Sequence, residues 1–182
     1  ERTMGKIMRI DESAPAAARE DPDAVTITQN GWLEGDASAV RGLPPQVEGL
    51  IWSQNVEGKL YRKLYLGNLF HTYAALLGAE KGYSHMVQCY QDPQIRSEVQ
   101  RAFFQSERAV LRQWSFDREE HEKWRAMMLA KMDAPSEDTV ERVLRDLPRK
   151  LRREDRLTGP ALLGVRGRCE YDSVLHALVL AL

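Results

Sequence analysis

A chain of 182 residues with 43% hydrophobic and 29% charged residues is long enough to bury a core and too apolar for global disorder. Its formal charge of −1 offers no overall field to nucleic acid or an acidic membrane. No stretch approaches the roughly 20 apolar residues of a membrane span, and Cys89 and Cys169, far apart without CxxC or metal-ligand spacing, suit idle thiols in a reducing, cytoplasmic compartment.

The chain opens on ERTMGKIMRIDE, which has no apolar signal core. Residues 1–50 read as an arm: a short run from Met4 to Ile10, a loop rich in Pro, Ala, Asp and Glu through Asp23, then AVTITQN, whose β-branched alternation predicts a strand. No further convincing strand follows, and short strands without partners complete a sheet formed by other sequence. A start without methionine and the uncapped apolar run SVLHALVLAL at the end are expected of a piece of a longer chain.

After Pro44 and Pro45 the period changes, and apolar residues at helical spacing predict a long helix over about Val56 to Leu77. Gly78 and Gly82 are expected to bracket a turn, followed by a short helix in YSHMVQCYQ. Asp92 can cap the next helix, PQIRSEVQRAFFQSERAVLRQW, with Pro93 at its first position. Asp117 can cap a third, EEHEKWRAMMLAKM, with Glu120 as its capping-box partner. Ser136 to Leu147 and Gly159 to the end supply further helical stretches, and with no repeat period residues 51–182 form one mainly α domain.

Within KLYLGNLFH, an α-helix sets Asn68 roughly 140° and His71 roughly 80° around from Lys63. Such a trio suits alcohol oxidation without metal: a lysine of lowered pKa takes the hydroxyl proton, a carboxamide donates to the oxygen as it gains charge, and an imidazole orients substrate or base. A solvated lysine beside a core histidine gives the same pattern, so the spacing alone leaves both readings open. His85, His121 and His176 lack HExxH or similar spacing and read as ordinary helix residues.

The stretch KLYLGNLFHTYAALLGAEKGY resembles the signature of the polyol-specific long-chain dehydrogenases, the mannitol-1-phosphate 5-dehydrogenase and mannitol 2-dehydrogenase group. The likeness continues through EGLIWSQNVEGKLYRK before it and DPQIRSEVQ, FDREEHEKW, EDTVERVLRDLPRKL and DRLTGPALL after it. The resemblance implies an all-helical substrate domain similar to the C-terminal domain of 6-phosphogluconate dehydrogenase, with residues 1–50 joining a Rossmann domain that holds NAD or NADP. It also implies hydride transfer with a polyol or sugar phosphate, no metal, Lys63 as base, Asn68 and His71 as its catalytic companions, and Arg142 and Lys150 on substrate oxygens. With proton acceptor and hydride acceptor on separate domains, the isolated chain is expected to be inactive. The absence of a GxGxxG turn agrees with a cofactor held elsewhere.

Arg142, Arg145, Arg149, Lys150, Arg152, Arg153 and Arg156 make a basic segment, in which Pro148 should break the helix. Apart from the two implied substrate contacts, these residues suit surface pairs with Glu141, Asp146, Glu154 and Asp155. No aromatic platform or reading helix accompanies them for nucleic acid.

Two departures from the family pattern stand out. Lys131, Met132, Asp133, Ala134 and Pro135 replace an Arg-Phe-x-Asn-Pro run, and Leu69 and Phe70 replace small residues between Asn68 and His71. The competing reading is a non-catalytic helical module for oligomerisation or regulation that keeps the family framework.

Overall fold

A computed structural model describes residues 2–3, 7–9, 25–27, 33–46, 50–133 and 138–182. The chain divides into two units, Glu1–Val56 and Glu57–Leu182.

The first unit carries short strands. β1 (Arg2–Thr3) runs antiparallel to β4 (Leu33–Asp36), and β4 runs parallel to β5 (Leu50–Ser53); β2 (Ile7–Arg9) and β3 (Val25–Ile27) pair antiparallel. The strand predicted in AVTITQN is therefore present as β3. The expectation that no strand follows it is corrected by β4 and β5, and β3 finds its partner within the chain. LEGD and LIWS are only four residues each, and LEGD carries Gly35 and Asp36 where β-formers would have signalled a strand. Gly35 stands opposite Trp52, and a Cβ there would lie 2.6 Å from the Trp52 ring, so the missing side chain lets the indole cover the strand.

The second unit is helical, as the mainly α reading requires. α1 (Val56–Arg62) runs into a π-helical segment, Lys63–Asn68, and on into α2 (Leu69–Glu80), so the long predicted helix exists with a wider turn inside it. Then come α3 (Met86–Gln91), α4 (Pro93–Gln113), α5 (Arg118–Ala130), α6 (Val140–Leu144), α7 (Leu147–Lys150), α8 (Thr158–Gly167) and α9 (Asp172–Val179). α4 is the axis, packing against α2, α8 and α9, with Val99, Ala102, Phe103 and Val110 fully buried between them. α2 contributes Leu69, Phe70, Tyr73, Ala74 and Ala75 to the same core.

The predicted caps form, with one change of partner. Asp92 accepts from Gln94 N at 2.8 Å and Ile95 N at 3.2 Å, with Pro93 in the first turn. Asp117 accepts from Glu120 N at 2.8 Å, but the Glu120 carboxylate turns away from the cap to meet Arg62, because a buried guanidinium binds it more strongly than a solvated amide would.

Four other boundaries are corrected. Gly82 is in the turn, at φ 74°, whereas Gly78 lies inside α2, where it lets Cys89 of α3 approach the helix backbone. The helical stretch expected from Ser136 begins at Val140 among the described residues, behind Thr139 as N-cap; Ser136 itself lies outside them. Pro148 sits in the first turn of α7, and the break falls at Asp146, whose φ of 60° ends the path from α6. Arg168, at φ 49°, splits the last stretch into α8 and α9.

Candidate active site

Lys63 and Asn68 are the first and last residues of the π turn. Leu69 N–H donates to Leu64 O, five residues back, and bypasses Tyr65 O, its α-helical partner. The Tyr65 carbonyl accepts instead from the buried Ser106 hydroxyl of α4 at 2.9 Å. Backbone that bonds five residues back stacks side chains five apart, as an α-helix stacks those four apart. The turn thereby swings Asn68 toward Lys63, closing most of the angle that α geometry leaves between them, and His71 follows three residues on. Both Lys63 and Asn68 are partly buried. The Asn68 carboxamide makes no capping bond and no other hydrogen bond among the described residues.

The turn is held from behind. Arg62 is 2% exposed; its Nη1 and Nη2 donate to Glu120 at 3.1 and 2.7 Å, and its guanidinium carbon lies 4.9 Å from the Phe116 ring and 4.6 Å from the Trp124 ring. Gly67 lets Met128 close on the turn, since a Cβ would lie 2.7 Å from the methionine methyl, and Gly159 does the same for the Tyr65 ring. The bulky replacements Leu69 and Phe70 face the core, Phe70 between Tyr90 and Phe103, so they do not narrow the side shared by Lys63 and Asn68.

His71 joins three elements. Its Nδ1 lies 2.6 Å from Tyr90 Oη on α3 and its Nε2 3.2 Å from Asp138 Oδ2, just before α6. Burial keeps the Tyr90 phenol protonated. Burial also raises the Asp138 carboxyl, but hydrogen bonding and charge from Arg142, then His71, outweigh it and hold the pKa below the ordinary value. With the phenol protonated and the carboxylate ionised, one tautomer satisfies both: Tyr90 donates to Nδ1 and Nε2–H donates to Asp138. Burial, aided by the positive charges of Arg142 and Lys131, pushes the His71 pKa down against the pull of Asp138 and keeps the ring neutral.

Arg142 completes the chain of contacts, donating Nε and Nη2 to the two oxygens of Asp138. The structure thus brings His71 and Arg142 together through a carboxylate. Lys150 stands apart from this network: it is 4% exposed, its ammonium donates to the carbonyl of Arg145, and burial with repulsion from Arg156 and Arg149 lowers its pKa. Of the other basic residues, Arg149 pairs with Asp146 and Asp155, and Arg156 with Asp155.

Tyr90 and Asp138 were not singled out from sequence. Asp138 stands four residues before Arg142, and an acid at that spacing on one side of a short helix start is the signal that could have found it. The Lys131–Pro135 departure reaches the site at one position: Lys131 adds its charge to the field on His71, while Met132 is buried and Asp133 pairs with Arg96 at 2.8 Å. Ala134 and Pro135 lie outside the described residues. His85 caps α3, His121 is buried against Glu107 at 2.8 Å, and His176 meets Tyr73 at 2.7 Å, so each has a structural partner.

Among the cavities that indent the described residues of this unit, one of about 410 Å³ lies beside Tyr61, Tyr65 and Trp114, and another of about 720 Å³ beside His85, Thr139 and Arg145. Neither is lined by Lys63, Asn68 or His71. No helix among the described residues is long and apolar enough to cross a membrane. A family model, described as the mannitol dehydrogenase C-terminal domain, matches residues 55–182.

Proposed function

The chain belongs to the mannitol dehydrogenase family, an oxidoreductase family, through the domain that occupies residues 55–182, and on that premise we propose that its helical unit handles the substrate in a nicotinamide-dependent polyol dehydrogenase. The substrate is a polyol or sugar phosphate of the mannitol or mannitol 1-phosphate kind, interconverted with its ketose.

The observation that carries this reading is the π turn, which aligns Lys63 and Asn68 and leaves the Asn68 carboxamide without another hydrogen-bond duty among the described residues. In the oxidation direction the neutral amine of Lys63 takes the hydroxyl proton, and the Asn68 N–H donates to the same oxygen as it becomes a carbonyl. In reduction Lys63 returns that proton to the alkoxide. His71 assists from the neighbouring turn, and Arg142 offers the N–H groups not used by Asp138 to substrate oxygens. Lys150 has three donors and spends one on Arg145, so it too can hold a substrate oxygen.

The described residues do not themselves suit a dinucleotide: β5 joins α1 through Gln54 and Asn55, with no Gly-rich turn to cradle a pyrophosphate. The cofactor, NAD or NADP, is assigned to an N-terminal Rossmann domain of the same protein, with residues 1–50 as the connector; bound there, it supplies the hydride acceptor. Free thiols at Cys89 and Cys169 fit work in the cytoplasm.

The test uses the natural full-length protein. Lys63→Ala lowers kcat by about 10²- to 10⁴-fold with nicotinamide affinity unchanged by fluorescence titration, and the 182-residue chain alone turns over neither mannitol nor mannitol 1-phosphate. Undiminished turnover by the variant would overturn the assignment of the base.

A further inference from the structure

We propose that Asp138 is a positioning residue that yokes His71 to Arg142, so that the two act on the substrate as one unit. The inference rests on the reading of this site as the substrate side of a dehydrogenase and adds to it a residue outside the base and its helix.

Three observations carry it. Asp138 spends both oxygens on the site: each accepts from Arg142 in a fork, and Oδ2 also accepts from His71 Nε2 at 3.2 Å. Its side chain is 12% exposed, so water does not replace these partners cheaply. Its backbone is fixed from its own carbonyl onward: Met86 N donates to Asp138 O at 2.9 Å, Val140 N donates to Ser84 O at 3.0 Å, and Thr139 bridges His85 before capping Arg142 N through its hydroxyl at 3.2 Å. A carboxylate held this way is an anchor with a set position.

The consequence for Arg142 is geometric. Of its five N–H groups the fork uses Nε–H and one on Nη2, which leaves the opposite edge for a ligand and removes the rotation an unpaired guanidinium would have. For His71, Asp138 selects the tautomer with hydrogen on Nε2, as a carboxylate does for a histidine that must keep one orientation. Tyr90 closes the other nitrogen, and among the described residues the charged and titratable groups that face the ring are Tyr90, Asp138, Arg142 and Lys131. One carboxylate therefore sets the orientation of two residues from different elements.

The experiment is a double-mutant cycle in the natural full-length protein, with Asp138→Ala, the near-isosteric Asp138→Asn and the conservative Asp138→Glu. Asp138→Ala and Asp138→Asn are expected to lower kcat/KM for the polyol substrate at least tenfold, mainly through KM, with Asp138→Glu recovering part of the loss. In an Arg142→Ala background the same changes should cost clearly less than in the parent, because only the His71 arm of the yoke is left to lose. Imidazole nitrogen spectra should show His71 as a single Nε2–H tautomer in the parent and a mixture in Asp138→Ala. Equal losses in both backgrounds, or a ring spectrum unchanged by Asp138→Ala, would overturn the proposal. Lys63→Ala and the unmodified full-length protein are run alongside: full turnover by the variant overturns the assignment of the base, absence of polyol turnover by the parent overturns the dehydrogenase reading, and in either case the tautomer measurement still decides whether Asp138 orients His71.

Discussion

Tyr90 is 3% exposed, and among the described residues its hydroxyl has one task, donating to His71 Nδ1 at 2.6 Å. Tyr90→Phe keeps the ring that stacks on Phe70 but leaves a half-buried imidazole nitrogen without its donor. The variant should lose about 1 kcal/mol of stability, the typical worth of such a bond, read as a lower urea midpoint of the helical unit. At this scale the sequence was informative only along one helix. Lys63, Asn68 and His71 share a short segment whose spacing and resemblance could be read directly. Tyr90 and Asp138 lie 19 and 67 residues from His71, and only tertiary packing brings them to it.

The π turn is the element on which the candidate site depends, and Arg62 anchors its start. A guanidinium 2% exposed and flanked by Phe116 and Trp124 needs its carboxylate, whose side chain is 40% exposed. Burial raises the Glu120 pKa, yet hydrogen bonding and charge from Arg62 outweigh it, so the acid stays ionised. Glu120→Ala should cost about 2 kcal/mol, below the loss from a fully buried pair because water reaches the vacated side. The same variant should lower kcat in the full-length protein as the turn beside Lys63 loosens, so denaturation and steady-state assay are measured together. The long helix was legible from its apolar period, and its caps from Asp92, Asp117 and Pro93. The wider turn was not, because it depends on Ser106 taking the Tyr65 carbonyl and on Met128 closing over Gly67, contacts with helices far along the chain.

Taken whole, the unit Glu57–Leu182 is tied by carboxylates at its helix junctions. Asp92 caps α4, accepts from Lys81 at 2.7 Å and Tyr83 at 3.1 Å, and its pKa falls from 3.8 to about 2, the Lys81 hydrogen bond being the largest cause. Asp133, Asp138, Asp155 and Glu120 are held low as well. A depressed folded pKa gives stability that is complete above the unfolded value and lost as pH falls through the folded one. The unit should therefore lose stability as pH drops from 3.8 toward 2, and Asp92→Asn should flatten that slope, as measured by denaturation midpoints across the range. A helical body was legible at this scale from period and composition. The sheet of the first unit was less so: β4 and β5 are too short, and β4 too poor in β-formers around Gly35, to announce themselves.

The π turn also makes chain length part of the chemistry. A plain α-helix aligns residues four apart, so removing one residue between Lys63 and Asn68 and closing the wide turn would keep the two on one side, whereas inserting one would turn Lys63 about 100° away from the side Asn68 occupies while leaving the α2 core in register. The wide turn absorbs the one residue by which the spacing of Lys63 and Asn68 exceeds that of an α-helix, and it has no room for a second.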